Sequence, residues 1–148
     1  MYDDILVPTD GSDGVQAAIE HAIELASMAD ATVHGLYVVD TADATAVPEG
    51  KWVTIAETLE EAGEQAVEEI EQQASEAGVT ATGAVVKGKP HEEITSYATE
   101  NDIDLIVMGT HGRSGLDRVL LGSVTDKVIR QADVPVLIKR YNDDESAE

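Results

Sequence analysis

Along this chain, short runs of β-branched and apolar residues alternate with longer stretches whose apolar positions recur every three or four residues. The runs "DILVPT" (4–9), "TVHGLYVVD" (32–40), "VTATGAVVK" (79–87), "IDLIVMG" (103–109) and "VPVLIKR" (134–140) read as five strands. Between the first two, "GVQAAIEHAIELASMA" places Ala18, Ile19, Ala22, Ile23 and Ala26 on one helical face, with Ser12 or Asp13 as a cap. Residues 56–77 repeat the pattern, with Leu59, Ala62, Ala66, Val67, Ile70 and Ala74 inward, a solvated Glu face outward and Gly78 at the end. Pro90 opens a third helix, since proline is tolerated at the first helical position, and a fourth runs over about 117–132. Residues 41–55, which contain Trp52, form the longest irregular stretch and read as a loop, either a lid or a flexible connection.

Strand–helix alternation through the whole length predicts an α/β fold: an open, doubly wound, five-stranded parallel sheet with helices on both faces, Rossmann-like in kind. Right-handed crossovers with one reversal of winding make 3-2-1-4-5 the economical strand order. That order sets strands one and four side by side at the switch point, where open α/β sheets bind ligands beyond the carboxyl ends of their strands. The turns that meet there are "VPTDGSD" (7–13) and "MGTHGRSG" (108–115).

At 148 residues the length suits one domain, expected over 1–141 and followed by an acidic tail at 142–148. No apolar run approaches the roughly 20 residues that span a bilayer, and "MYDDILVPTD" lacks the basic start of a signal peptide, so a cytoplasmic protein is expected. Cysteine is absent, which excludes disulfides, thiolate metal sites and cysteine nucleophiles. A net charge of -21, from 30 acidic and 9 basic residues, opposes binding to nucleic acid or to an anionic membrane. With hydrophobic residues still at 43%, this is an acidic skin over a globular core. Few Lys, no Phe and abundant Asp, Glu, Ala, Val and Thr resemble the composition of halophilic cytoplasmic proteins. The charge is uneven: residues 1–86 hold eighteen acidic groups and Lys51 alone as a base, whereas 87–140 hold eight of each. An approaching anion is repelled least in that neutral segment, which contains the glycine-rich turn.

Gly109 and Gly112 let the chain turn tightly and bring backbone N–H groups close to a phosphate, with no Cβ in the way. Gly122, with the hydroxyls of Ser123 and Thr125, opens the last helical segment toward the same anion. Glycines after a strand also serve as plain turn formers; convergence of two clusters on one switch point favours a ligand. Asp10 is equally suited to capping the first helix, a role compatible with ligand contact, and Arg113 and Arg118 are equally suited to pairing with carboxylates such as Asp117. "GAVVKGKP" (83–90) matches the start of a Walker A loop, but Pro90 stands where magnesium requires Ser or Thr. The turn "TDGSDG" (9–14) lacks the paired glycines of a pyrophosphatase loop. His21, His34, His91 and His111 have no second histidine at metal-ligand spacing, so no protein-held metal is expected.

The spacing Gly109-x2-Gly112-x9-Gly122-Ser123 resembles the ATP-binding signature of the universal stress protein family, as do "MYDDILVPTDGS", "LYVVD", "IVMGTHGRSG", "LLGSVTDKVI" and "VPVLIK". Carried onto this chain, the resemblance implies that Pro8, Thr9 and Asp10 border the adenosine, with Asp10 near the ribose and the Val38 backbone at the adenine edge. It further implies Met108 and Gly109 under the sugar, with Gly112, Arg113, Gly122, Ser123, Val124 and Thr125 around the phosphates. ATP carrying magnesium on its phosphates is the implied cofactor, and a stress-response switch or sensor the implied role. A homodimer paired through the strand at 134–140 is implied as well, and an unidentified protein partner is open. The alternatives are a slow ATPase or phosphotransfer enzyme, with His111 as the base to test, and an interaction module whose site stays empty.

Overall fold

The computed structural model describes residues 2–41, 48–109 and 122–140. The strands are β1 (Asp4–Thr9), β2 (Thr32–Asp40), β3 (Ala81–Gly88), β4 (Leu105–Gly109) and β5 (Val136–Lys139). All pair in parallel, in the order β3-β2-β1-β4-β5. β1 and β2 have the expected bounds; β3, β4 and β5 begin two residues later than their apolar runs. The helices are α1 (Gln16–Ala29), α2 (Glu49–Glu76), α3 (Pro90–Glu100) and α4 (Ser123–Gln131). Of the fourth helix expected over 117–132, the part before Gly122 lies outside the described residues, as does the acidic tail at 142–148.

Alternation along each strand sorts the core into two layers. Ile5, Val7, Val33, Leu105 and Val107 pack under α1 and α2 with Ala18, Ala22, Ala26, Ile70 and Ala74. Leu6, Leu36, Ile106 and Met108 point the other way, onto Ile94 and Ala98 of α3 and Val128 of α4. The helices therefore cover both faces of the sheet. No helix among the described residues is long and apolar enough to cross a membrane.

Three local expectations are corrected. α2 begins at Glu49, so residues 49–55 are helical rather than part of a loop; residues 42–47 lie outside the described residues. "PEGKW" reads locally as turn chemistry, but Trp52 and Leu59 pack against Tyr37 and Val39, and this tertiary burial extends the helix. On the same helix Ala62 is exposed and Gly63 takes the inward place, closely under the Tyr37 ring. Neither Ser12 nor Asp13 caps α1 through its side chain; a single 3-10 turn, Asp13–Val15, leads into the helix instead. Gly78 does follow α2 with a φ of 75°, a left-handed geometry that suits glycine.

Near the amino ends of β1 and β2, buried His34 hydrogen-bonds through both ring nitrogens, to Asp4 at 2.9 Å and to the Tyr97 hydroxyl at 2.8 Å. Burial, and secondarily the Asp4 carboxylate, raises the pKa of the Tyr97 phenol above 10.0. The cluster joins α3 to the sheet at the end opposite the ligand-binding crevice expected for this topology.

Candidate functional site

Where β1 and β4 end side by side, a cavity of about 320 Å³ opens between the sheet, α3 and the start of α4. It is lined by Pro8, Thr9, Asp10, Val38, Met108, Gly109, Gly122, Ser123, Val124 and Thr125. These are ten of the twelve positions that the sequence singles out; Gly112 and Arg113 lie outside the described residues, as do His111, Asp117 and Arg118. Val15, Leu36, Pro90 and Ile94 complete the lining and were not singled out. Leu36 and Ile94 are core residues by pattern, and Pro90 marks a helix start, so only the packing of α3 against β2 reveals them as walls.

The turn after β1 is held by its own side chains. Thr9 Oγ1 accepts the Gly11 N–H at 3.0 Å, and Asp10 Oδ1 accepts the Ser12 N–H at 2.9 Å. Asp10 thus closes a local turn instead of capping α1, and this fixes its carboxylate at the rim of the cavity.

Gly109 has a packing role that its sequence context does not reveal. A Cβ there would stand 2.8 Å from the Gly14 carbonyl oxygen and 3.6 Å from Val15 Cα, so the end of β4 fits beneath the 3-10 turn only without a side chain. The Thr125 hydroxyl, expected to face the anion, donates instead to the Gly109 carbonyl at 3.3 Å. It ties α4 to the tip of β4. The backbone of the first turn of α4 keeps its donor character: no side chain among the described residues caps it, and Gly122 at the N-cap has φ -62° and ψ 156°. The N–H groups of Ser123, Val124 and Thr125 have no intrahelical acceptors, and all three residues line the cavity. With the helix dipole behind them, they present an end suited to an anion, facing walls of Pro8, Leu36, Val38, Ile94 and Met108. A cavity with apolar walls and a few convergent donors suits a ligand with a flat apolar body and an anionic end.

The model of the universal stress protein family matches residues 1–140. The universal stress protein MJ0531 of Methanocaldococcus jannaschii is 44% identical over 139 residues, covering 93% of this chain and 82% of the relative. Among solved structures, that of MJ0577 from the same organism superposes with a TM-score of 0.85 at 34% identity, covering 97% of this chain and 99% of that one. A universal stress protein in complex with cAMP superposes with a TM-score of 0.69 at 26% identity, covering 94% of this chain and 97% of the other. The matches run the length of the sheet and of the segments that build the cavity, and on them the chain belongs to the universal stress protein family.

Proposed function

We propose that residues 1–141 form one nucleotide-binding domain that holds ATP and acts in the cytoplasm as a nucleotide-dependent switch in a stress response. The observation that carries this reading is the meeting of the β1 turn and the uncapped start of α4 at one apolar-walled cavity. The cAMP complex of a related universal stress protein supports a nucleotide as the occupant. In this reading the base rests among Leu36, Val38 and Ile94, Asp10 serves the ribose, and the N–H groups of residues 123–125 take the phosphates. The family resemblance assigns Gly112 and Arg113, which lie outside the described residues, to the phosphates as well. Magnesium, when carried on those phosphates, neutralises part of their charge beside an acidic protein.

Asp10 is the one titratable side chain among the described cavity-lining residues. Fast hydrolysis needs a positioned base together with several cations at the γ-phosphate, and the sequence offers only His111 and Arg113 for these roles, so turnover is expected far below the roughly 1 s⁻¹ of slow ordinary enzymes. The same reading pairs β5 with its twin across a two-fold axis to make a homodimer.

The test is mass spectrometry of small molecules released from freshly purified protein, followed by calorimetry with ATP, AMP and cAMP. A co-purifying adenine nucleotide is expected. The Gly122 backbone angles are open to any residue, so Gly122→Val should keep the fold, checked by circular dichroism; affinity should fall at least about tenfold, the worth of one or two charge-assisted hydrogen bonds. Unchanged affinity removes the site, and rapid ATP turnover that collapses in His111→Ala replaces the switch with an enzyme.

A further inference from the structure

The α1 and α2 helices lie on one face of the sheet, and their Gln16 and Gln73 side chains bond across the gap at 2.7 and 3.3 Å. Beyond this bridge, toward the carboxyl ends of both helices, they leave a surface groove of about 470 Å³. Its apolar lining is Ile23, Met28 and Ala77, and its charged lining is Glu20, Glu24 and Glu76. Met28 is 73% exposed, the most exposed large apolar side chain among the described residues, whereas Ile23 is 8% exposed. A flexible thioether over an apolar floor is a common component of surfaces that accept another chain.

The charge around the groove decides what can enter. α1 carries no Lys or Arg, and α2 carries one, Lys51, at its opposite end. The same groove on a second copy would bring carboxylates against carboxylates, and an anionic membrane would be repelled. A cationic, amphipathic helix fits both features: its apolar anchor covers Met28 and Ile23 while its basic side chains face the three glutamates. We infer that the groove between α1 and α2 docks a basic amphipathic segment of a partner protein. The surface lies at the amino ends of the strands, away from the nucleotide cavity, so a partner held there leaves the nucleotide accessible.

The experiment uses the full chain and a fluorescein-labelled Leu/Lys peptide of roughly 18 residues, long enough to form a helix, with leucines on one face. A scrambled peptide of the same composition is the control, and binding is read by anisotropy at about 0.1 M and 1 M salt, where the Debye length falls from about 10 to 3 Å. The amphipathic peptide should bind at least about tenfold tighter than the scrambled one, a gap of roughly 1.4 kcal/mol. Met28→Gln should weaken it about tenfold through lost apolar burial, with unchanged circular dichroism. Combined Glu20→Gln, Glu24→Gln and Glu76→Gln should weaken it and flatten its salt dependence. Combined Glu57→Gln, Glu61→Gln and Glu64→Gln, the same charge change elsewhere on α2, should leave affinity within about threefold. No binding at the lower salt, equal binding of the scrambled peptide, or an equal loss in both triple variants overturns the inference. So does a change in the sedimenting mass of the free protein on Met28→Gln, which would make a second copy the occupant.

Discussion

Gly109 and Thr125 divide the work at the mouth of the cavity differently from their sequence context. Glycine after a strand suggests freedom to turn, yet the decisive contact at Gly109 is the Gly14 carbonyl 2.8 Å from where a Cβ would stand. Backbone on both sides leaves little room for relief. Gly109→Ala should therefore destabilise the fold by about 1–3 kcal/mol, in the range of other overpacked sites, and push the 3-10 turn out of place. Urea unfolding measures the first effect. ATP calorimetry should report a parallel loss, because Asp10 and Val15 border the cavity from that same segment. Wild-type stability in Gly109→Ala would mean that the close approach constrains nothing.

The edge strand β5 carries the second expectation, at the scale of elements. Its pairing with β4 uses the Pro135 carbonyl, which accepts the Ile106 N–H at 3.0 Å. Alternation along the strand then points the Val136 and Ile138 amides toward the open edge. An edge left unpaired by the described residues is ordinarily covered or joined to another strand. The proposed dimer predicts a dimeric mass in sedimentation at micromolar concentration and slow hydrogen exchange at Val136 and Ile138. A monomer with both amides exchanging freely defeats it. Leu137 is the wrong place to break such a dimer: it packs against the core under α1, so a charge there would unfold the strand first. The long α2 shows the same dependence on context. Its first two turns contain Gly50 and follow Pro48, and they are helical because Trp52 and Ala56 are drawn onto the sheet.

Over the whole molecule, the charge of -21 sets the response to salt. Carboxylates spread over α1 and α2 repel across distances comparable to the Debye length at low ionic strength, and concentrated salt removes most of that repulsion. The melting temperature should rise by roughly 3–6 °C between 0.1 M and multimolar KCl, as about 1–2 kcal/mol of relief implies for a domain of this size. A melting temperature indifferent to salt would show that the acidic skin costs no stability. The strand order and the switch point were legible in the chain because period-two and period-3.6 patterns and right-handed crossovers leave few topologies open. Of the ten lining residues, Gly109, Gly122, Ser123 and Thr125 stood out by residue type, and the other six followed from the family resemblance. The walls contributed by Leu36, Pro90 and Ile94, the turn from Asx closure at Asp10 and the redirection of the Thr125 hydroxyl were not legible. Each depends on which residue a neighbour from a distant segment brings within a few ångströms. The sequence alone determined the fold class and the end of the sheet at which the cavity opens, since these follow from local periodicity and chirality. Only the tertiary structure decided which side chains and backbone groups meet there, because hydrogen bonds and close packing are settled by distances that no pattern along the chain encodes.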